Sequence, residues 1–146
     1  MLEGGGARAP FADAVADLAP GSQGVRPPGA DHSPWELLEH LRLTQLDILE
    51  YSRDPGGYHP RGWPDDYWPA DQAPPDPQAW DASCRQFESD RRAMVALLED
   101  PQRDLTAPLA PGNDHTLLRQ AVLLADHDAY HLGQLVLVRK LLGAWG

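Results

Sequence analysis

A stretch of helical periodicity from about residue 114 to 142 constrains this chain more than any other feature. At about 100° per residue, Leu123, Leu124, Leu135, Val138, Leu141 and Leu142 fall on one arc, and His127 and His131 fall inside it. The opposite arc carries Ala125, Asp128, Ala129, Leu132 and Arg139 and is more mixed. Four residues apart on a helix, the two histidines stack one turn above the other and share a face. A buried imidazole needs a partner for each nitrogen, because an unpaired buried polar group costs about 1–3 kcal/mol. A shared metal ion is the most economical explanation of two such rings on one apolar stripe.

The rest of the chain offers partners for that helix. Ser33-Pro34-Trp35-Glu36 is a capping box, with Ser33 as N-cap and Pro34 at the first helical position. It opens a helix to about residue 51 or 52 whose buried arc is Leu37, Leu38, Leu41, Ile48 and Leu49, with His40 at its edge. Asp76-Pro77 reads as the start of another helix, about 77–99, carried by Trp80, Cys84, Phe87, Arg91, Met94 and Leu98. Phe11, Ala14, Val15 and Leu18 predict a short helix over 11–18, and Gly143 a C-terminal cap for the last helix. The 15 prolines and 13 glycines cluster between these periodic segments, so they act as punctuation rather than as a sign of global disorder. With no competing strand pattern and no internal repeat, the expectation is an all-α four-helix bundle: one domain over 1–146, with residues 1–10 flexible.

Charge narrows the function. With 12 basic against 22 acidic residues and a formal net charge of −10, the chain would repel phosphate backbones and anionic membranes, so neither nucleic acid nor membrane is expected as a partner. No apolar stretch approaches the ~20 residues of a membrane span, and Met1 to Pro10 lacks the pattern of a signal peptide. The lone Cys84 cannot form an internal disulfide, which makes a reducing cytoplasm the default location.

Of the six histidines, His32, His59 and His115 sit in loops or at helix starts and read as solvated or locally bonded. Spacing of the His127/His131 kind occurs in metalloproteases, but those place a glutamate between the histidines, and here Asp128, Ala129 and Tyr130 stand instead, so a protease is rejected. His40 is the other helix-interior histidine and would supply a third imidazole from a facing helix. Three imidazoles leave coordination positions open, the mark of catalytic sites, where a metal lowers the pKa of a bound water or thiol. Gln134 and Gln120 lie on the same stripe as candidates to hold the rings, while Asp126 and Asp128 flank it.

The opening His32-Ser33-Pro34-Trp35-Glu36-Leu37-Leu38-Glu39-His40-Leu41, the loop Trp63-Pro64-Asp65-Asp66-Tyr67-Trp68-Pro69 and the segment Asp126-His127-Asp128-Ala129-Tyr130-His131-Leu132-Gly133-Gln134 together resemble the DinB-like (damage-inducible B) superfamily of metal-binding helical bundles. The resemblance implies an up-down-down-up four-helix bundle with a long aromatic and proline-rich loop between the second and third helices. It also implies frequent dimerisation and a divalent metal, zinc or nickel, held by His40, His127 and His131. Similar proteins include bacillithiol-using thiol transferases and mycothiol-dependent isomerases, so a low-molecular-weight thiol is an implied cofactor and a small molecule or thiol an implied substrate. The expected function is a metal-dependent hydrolase or thiol transferase. The alternative is a non-catalytic metal-binding or stress-associated interaction protein in which the metal is structural or absent; metal content and exchangeable ligands separate the two.

Three further features stay open at this level. Cys84 reads as a small core residue rather than a reactive thiol. The Trp63–Trp68 cluster could line a pocket or serve as packing or a dimer surface, but it begins about 12 residues or ~18 Å beyond His40 and must fold back to reach the metal. The connector 20–31 is better placed as the rim of the site, and the charged segment Asp90-Arg91-Arg92 reads as a solvated face.

Overall fold

The computed structural model describes residues 9–146; most of the segment expected to be flexible, residues 1–8, lies outside them. Five helices are present among the described residues: α1 (Phe11–Val15), α2 (Pro20–Gln23), α3 (Pro34–Arg53), α4 (Ala79–Glu99) and α5 (Leu117–Leu141), with a 3-10 turn at Asp65–Tyr67. They contain no strand, only an isolated bridge between Pro108 and Thr116, and no helix is long and apolar enough to cross a membrane.

Local chemistry sets the helix ends. Ser33 accepts from the Glu36 backbone N–H, and the Glu36 carboxylate accepts from the Ser33 N–H at 2.7 Å, so the capping box forms as read. Thr116 caps α5 by accepting from the Arg119 N–H at 3.1 Å. At its other end Gly143 adopts φ +66°, and the Gly143 and Ala144 N–H groups return to the Lys140 and Arg139 carbonyls, a Schellman closure. Helix α4 begins two residues later than Pro77, because Asp76 turns its carboxylate to the Gln78 N–H at 2.8 Å and makes a turn there. The short N-terminal helix stops at Val15, before an Asp17 in the left-handed region (φ +53°), so it is shorter than the expected 11–18, and the stretch read as a connector contains a one-turn helix of its own, α2.

Side-chain pairs fix the helix directions. Ser83 on α4 bonds Glu39 on α3 at 2.5 Å, and Gln45 on α3 donates to the Phe87 carbonyl on α4 at 2.6 Å. The residue numbers ascend together, so α3 and α4 run parallel. The first half of α3 (Leu37, Leu38, Leu41) shares a core cluster with the last half of α5 (Leu132, Leu135, Val138), while Ile48 and Leu49 share the other cluster with Leu117 and Leu124, so α5 runs antiparallel to α3. The parallel pair explains the long segment between Arg53 and Ala79: the chain must return the length of α3, about 30 Å, before α4 can start.

The arc expected to be buried on α5 is rotated. Leu124, Leu135 and Val138 are buried as read, but Asp128, Leu132 and Arg139 from the supposed outer arc are buried too, while Leu123 and Leu141 are exposed. Leucines occur all around this helix, so the pattern alone could not centre the stripe. Arg139 tolerates burial because it donates to the Ala14 and Ala144 carbonyls at 2.8 Å and to the Asp13 carbonyl at 3.2 Å. The two histidines consequently stand half-buried at the margin of the core. Asp90 is also a correction: it is buried, accepts from Gln86 at 2.8 Å, and is not part of a solvated face.

Candidate metal centre

His40 on α3 and His127 and His131 on α5 meet with their Nε2 atoms turned inward. The His40 Nε2 lies 3.0 Å from that of His127 and 3.1 Å from that of His131. Among the described residues these three form a group able to hold one metal ion, each offering a nitrogen, with all three atoms within 4.8 Å of one another. Two nitrogens bound side by side to one ion at about 2.0–2.1 Å stand roughly 3 Å apart, so the observed spacing suits the task.

The outer face of two rings fixes which nitrogen carries the proton. His40 Nδ1 lies 2.8 Å from the Tyr67 carbonyl oxygen, and His131 Nδ1 lies 2.7 Å from Gln134 Oε1. Both contacts are to acceptors, so each Nδ1 donates and each Nε2 presents its lone pair to the centre. Burial, with the neighbouring rings adding to it, pushes His40 down to about 4, against the Tyr67 contact, which acts the other way. Burial and the nearby His127 and His40 bring His131 to about 4 as well. Both imidazoles are therefore neutral at pH 7, the form that ligates. Two lone pairs 3.1 Å apart repel, and a shared cation converts that repulsion into attraction, so the donor set fits a divalent metal. The third ring is held less: His127 Nδ1 is buried and finds no hydrogen-bond partner among the described residues, with Asp128 Oδ1 3.9 Å away.

The aromatic loop does fold back onto the site. On its return towards α4 it lays Trp68 flat on His40, with ring centroids 3.9 Å apart and planes within 3°. His32 stacks on the other face of Trp68 at 4.1 Å, making a three-ring pile. Asp47, two turns along α3 from His40, anchors the loop by accepting from the Tyr67 hydroxyl at 2.9 Å and the Tyr58 hydroxyl at 2.8 Å. Burial first and the Asp47 carboxylate second raise both phenols, which keeps them protonated as donors. One residue, Tyr67, thus bonds α3 through its hydroxyl and orients His40 through its carbonyl.

Two cavities border the cluster. The larger, about 410 Å³, is lined by Gly29, Ala30, Asp31, His32, Trp68, Tyr130, His131 and Gln134, among others, which places the end of the connector before α3 beside His131 but not beside His40 or His127. The smaller, about 270 Å³, is lined by all three histidines together with Thr44, Asp47, Ile48, Trp63, Tyr67 and Leu123.

Of the remaining expectations, Gln134 touches a site histidine, whereas Gln120 is buried and accepts from Arg119 at 3.2 Å instead. Asp126 is exposed. His59 is exposed and His115 sits edge-on to Tyr51 at 5.7 Å, so both keep their local roles. His32 does not: its stack on Trp68 went unread, and the only signal was its place at the end of the rim segment. The Tyr67 carbonyl was equally invisible, since a backbone acceptor has no signature in sequence.

No curated protein and no solved structure matches the chain. The sequence profile of the DinB superfamily matches residues 6–135, a span that takes in all three histidines, the aromatic loop and helices α1 to α4, and the chain therefore belongs to the DinB superfamily.

Proposed function

We propose that His40, His127 and His131 bind a divalent ion, zinc or nickel by the nature of the imidazole donors, and that the protein is a metal-dependent hydrolase or a transferase acting with a small thiol. The observation that carries this is the convergence of three Nε2 atoms, two of them with the opposite nitrogen already committed to an acceptor. A divalent ion in that position supplies Lewis acidity, lowering the pKa of a water or thiol it binds towards neutrality. The chain's own residues do the rest. Tyr67 and Gln134 hold the His40 and His131 rings in the ligating tautomer. Trp68 covers the face of His40 and shuts water out from that side. The cavity lined by all three histidines leaves a side of the site open to a small ligand.

In this reading α3, α4 and α5 are the down-down-up part of an up-down-down-up bundle. The segment of α1 and α2 stands for the first helix, held by Phe11 stacked on Phe87 at 4.0 Å and by the Arg139 bonds to Asp13 and Ala14.

The test is metal content by elemental analysis of untagged protein, beside His40→Ala and His127→Ala variants. About one equivalent per chain in the parent protein, lost in both variants, is the expected result; screens for thiol transfer and hydrolysis then follow. A parent protein that takes up neither Zn²⁺ nor Ni²⁺ would refute the proposal.

A further inference from the structure

Two cavities touch the histidine cluster, and they are not equivalent. The larger meets His131 beside Gln134, on the side of the nitrogen that faces away from the centre, and is not lined by His40 or His127. The smaller is lined by all three rings. A ligand that is to reach the point where the Nε2 atoms converge has its place in the smaller one.

Thr44 is among the residues that line that cavity, and its hydroxyl has no hydrogen-bond partner among the described residues. It lies one turn after His40 on α3 and therefore on the same face. Its Oγ1 is buried. A hydroxyl inside a helix normally bonds back to the carbonyl four residues earlier. Ser52, on the same helix, does so, donating to the Ile48 carbonyl at 2.7 Å. Thr44 does not use that outlet, although its hydroxyl is shut away from bulk water. Among the other polar groups of this lining, Asp47 is engaged with two tyrosine hydroxyls and the Tyr67 carbonyl with His40, while the buried His127 Nδ1 also has no hydrogen-bond partner among the described residues.

We propose that the small ligand completing this site, an anionic donor such as a thiolate or an oxyanion, lodges in the cavity on the Thr44 side and takes a hydrogen bond from the Thr44 hydroxyl. Thr44 is then a positioning residue that fixes where the ligand's donor atom sits. The inference rests on the three histidines holding a metal, and adds to that reading the side of approach and the residue that receives the ligand. The cavity's dimensions favour a compact head group, with the exposed Trp63 and Leu123 forming apolar walls for the part of the ligand that follows.

The experiment uses the full chain loaded with Co²⁺, whose visible absorption reports ligand exchange independently of any activity. Parent protein, Thr44→Val and Thr44→Ser are titrated with 2-mercaptoethanol and, separately, with acetate, after Co²⁺ stoichiometry and thermal unfolding have been measured for each. Thr44→Val keeps the shape and removes the hydroxyl, so it should retain one Co²⁺ and its fold while binding the probe about tenfold more weakly, the loss expected for one hydrogen bond. Thr44→Ser should restore the affinity. Weakening for the thiol alone would assign the position to a thiolate, and for acetate alone to an oxyanion. Unchanged affinity for both probes in Thr44→Val would overturn the inference and leave the metal site standing. Equal weakening in Thr44→Ser would overturn it too, because the methyl and not the hydroxyl would then be responsible. Failure of the parent protein to take up Co²⁺ would remove both readings together.

Discussion

Gln134 gives the most direct test of how this site is held. Its Oε1 lies 2.7 Å from His131 Nδ1, three residues away on the same helix. That contact fixes the tautomer of the ring, limits its rotation, and raises the basicity of the nitrogen that faces the centre. Replacing Gln134 by Leu preserves the side-chain bulk and deletes the acceptor. The His131 Nδ1–H is then buried against an apolar group, and the ring gains a second tautomer that cannot ligate. Loss of such an outer contact typically weakens metal binding 10–100-fold, or about 1.4–2.8 kcal/mol. The upper part of that range is expected here, because the His127 Nδ1 has no hydrogen-bond partner among the described residues to hold that ring in turn. Competition for Zn²⁺ against a chromophoric chelator near neutral pH measures the change. Gln134→Glu, which retains the acceptor and adds charge, should bind at least as tightly as the parent protein. An affinity within twofold of the parent in Gln134→Leu would refute the argument that His131 is held in its ligating form by this contact.

Two further outcomes follow from the titrating groups. Burial pushes the Cys84 thiol up to about 12, with Asp81 and Glu88 adding to it; at pH 8 its thiolate fraction is about 10⁻⁴ against ~0.2 for a free cysteine, and after allowing for the stronger nucleophilicity of a more basic thiolate, alkylation by iodoacetamide should be about a hundredfold slower. Its rate should climb tenfold per pH unit through pH 9, and labelling at the rate of free cysteine would show the side chain is not packed as described. Burial works to raise the Glu36 carboxyl, but the Arg26 guanidinium and the Ser33 N–H outweigh it and hold the group below the ordinary range. A depressed carboxyl contributes stability that is present above its unfolded pKa and is lost as pH falls through the folded one. The melting temperatures of parent and Glu36→Gln protein should therefore differ near pH 7 and converge towards about pH 3; a gap that stays constant would mean the charge has no part in it.

Much of this site could be read before any coordinates, for reasons that differ by residue. Ser33, Pro34 and Glu36 announce a helix start because capping is local chemistry, satisfied within four residues. His127 and His131 could be paired because helical spacing decides which side chains share a face. His40 was accessible by elimination among the histidines. Gln134 lay one turn from His131, whereas Gln120, on the same stripe, is too far along the helix and bonds Arg119. What stayed hidden is non-local. The centre of the buried face of α5 depends on which neighbours cover it, and a helix with leucines on every side does not reveal that. Helical angle put Asp128 and Arg139 on the mixed arc opposite the histidines, yet both are buried; charge excludes burial only where partners are lacking, and Arg139 finds three backbone carbonyls.

The aromatic loop ties fold and chemistry together. Distance along the chain argued that Trp63 to Trp68 start at the wrong end of α3 to serve His40, and for an antiparallel pair joined by a short turn that argument would hold. It fails because α4 runs parallel to α3, so the intervening segment has to travel back along the bundle and pass the level of His40 on its way. A parallel pair thus places a long, otherwise unconstrained segment beside the first half of α3. Asp47 fastens that segment through two tyrosine hydroxyls, and the fastening brings the Tyr67 carbonyl to His40 Nδ1 and the Trp68 ring onto its face. The loop is long because of topology; of its aromatic side chains, Trp68 covers His40 and Tyr58 and Tyr67 bind Asp47. A crossover of glycine and serine would close the same distance and leave His40 free to turn.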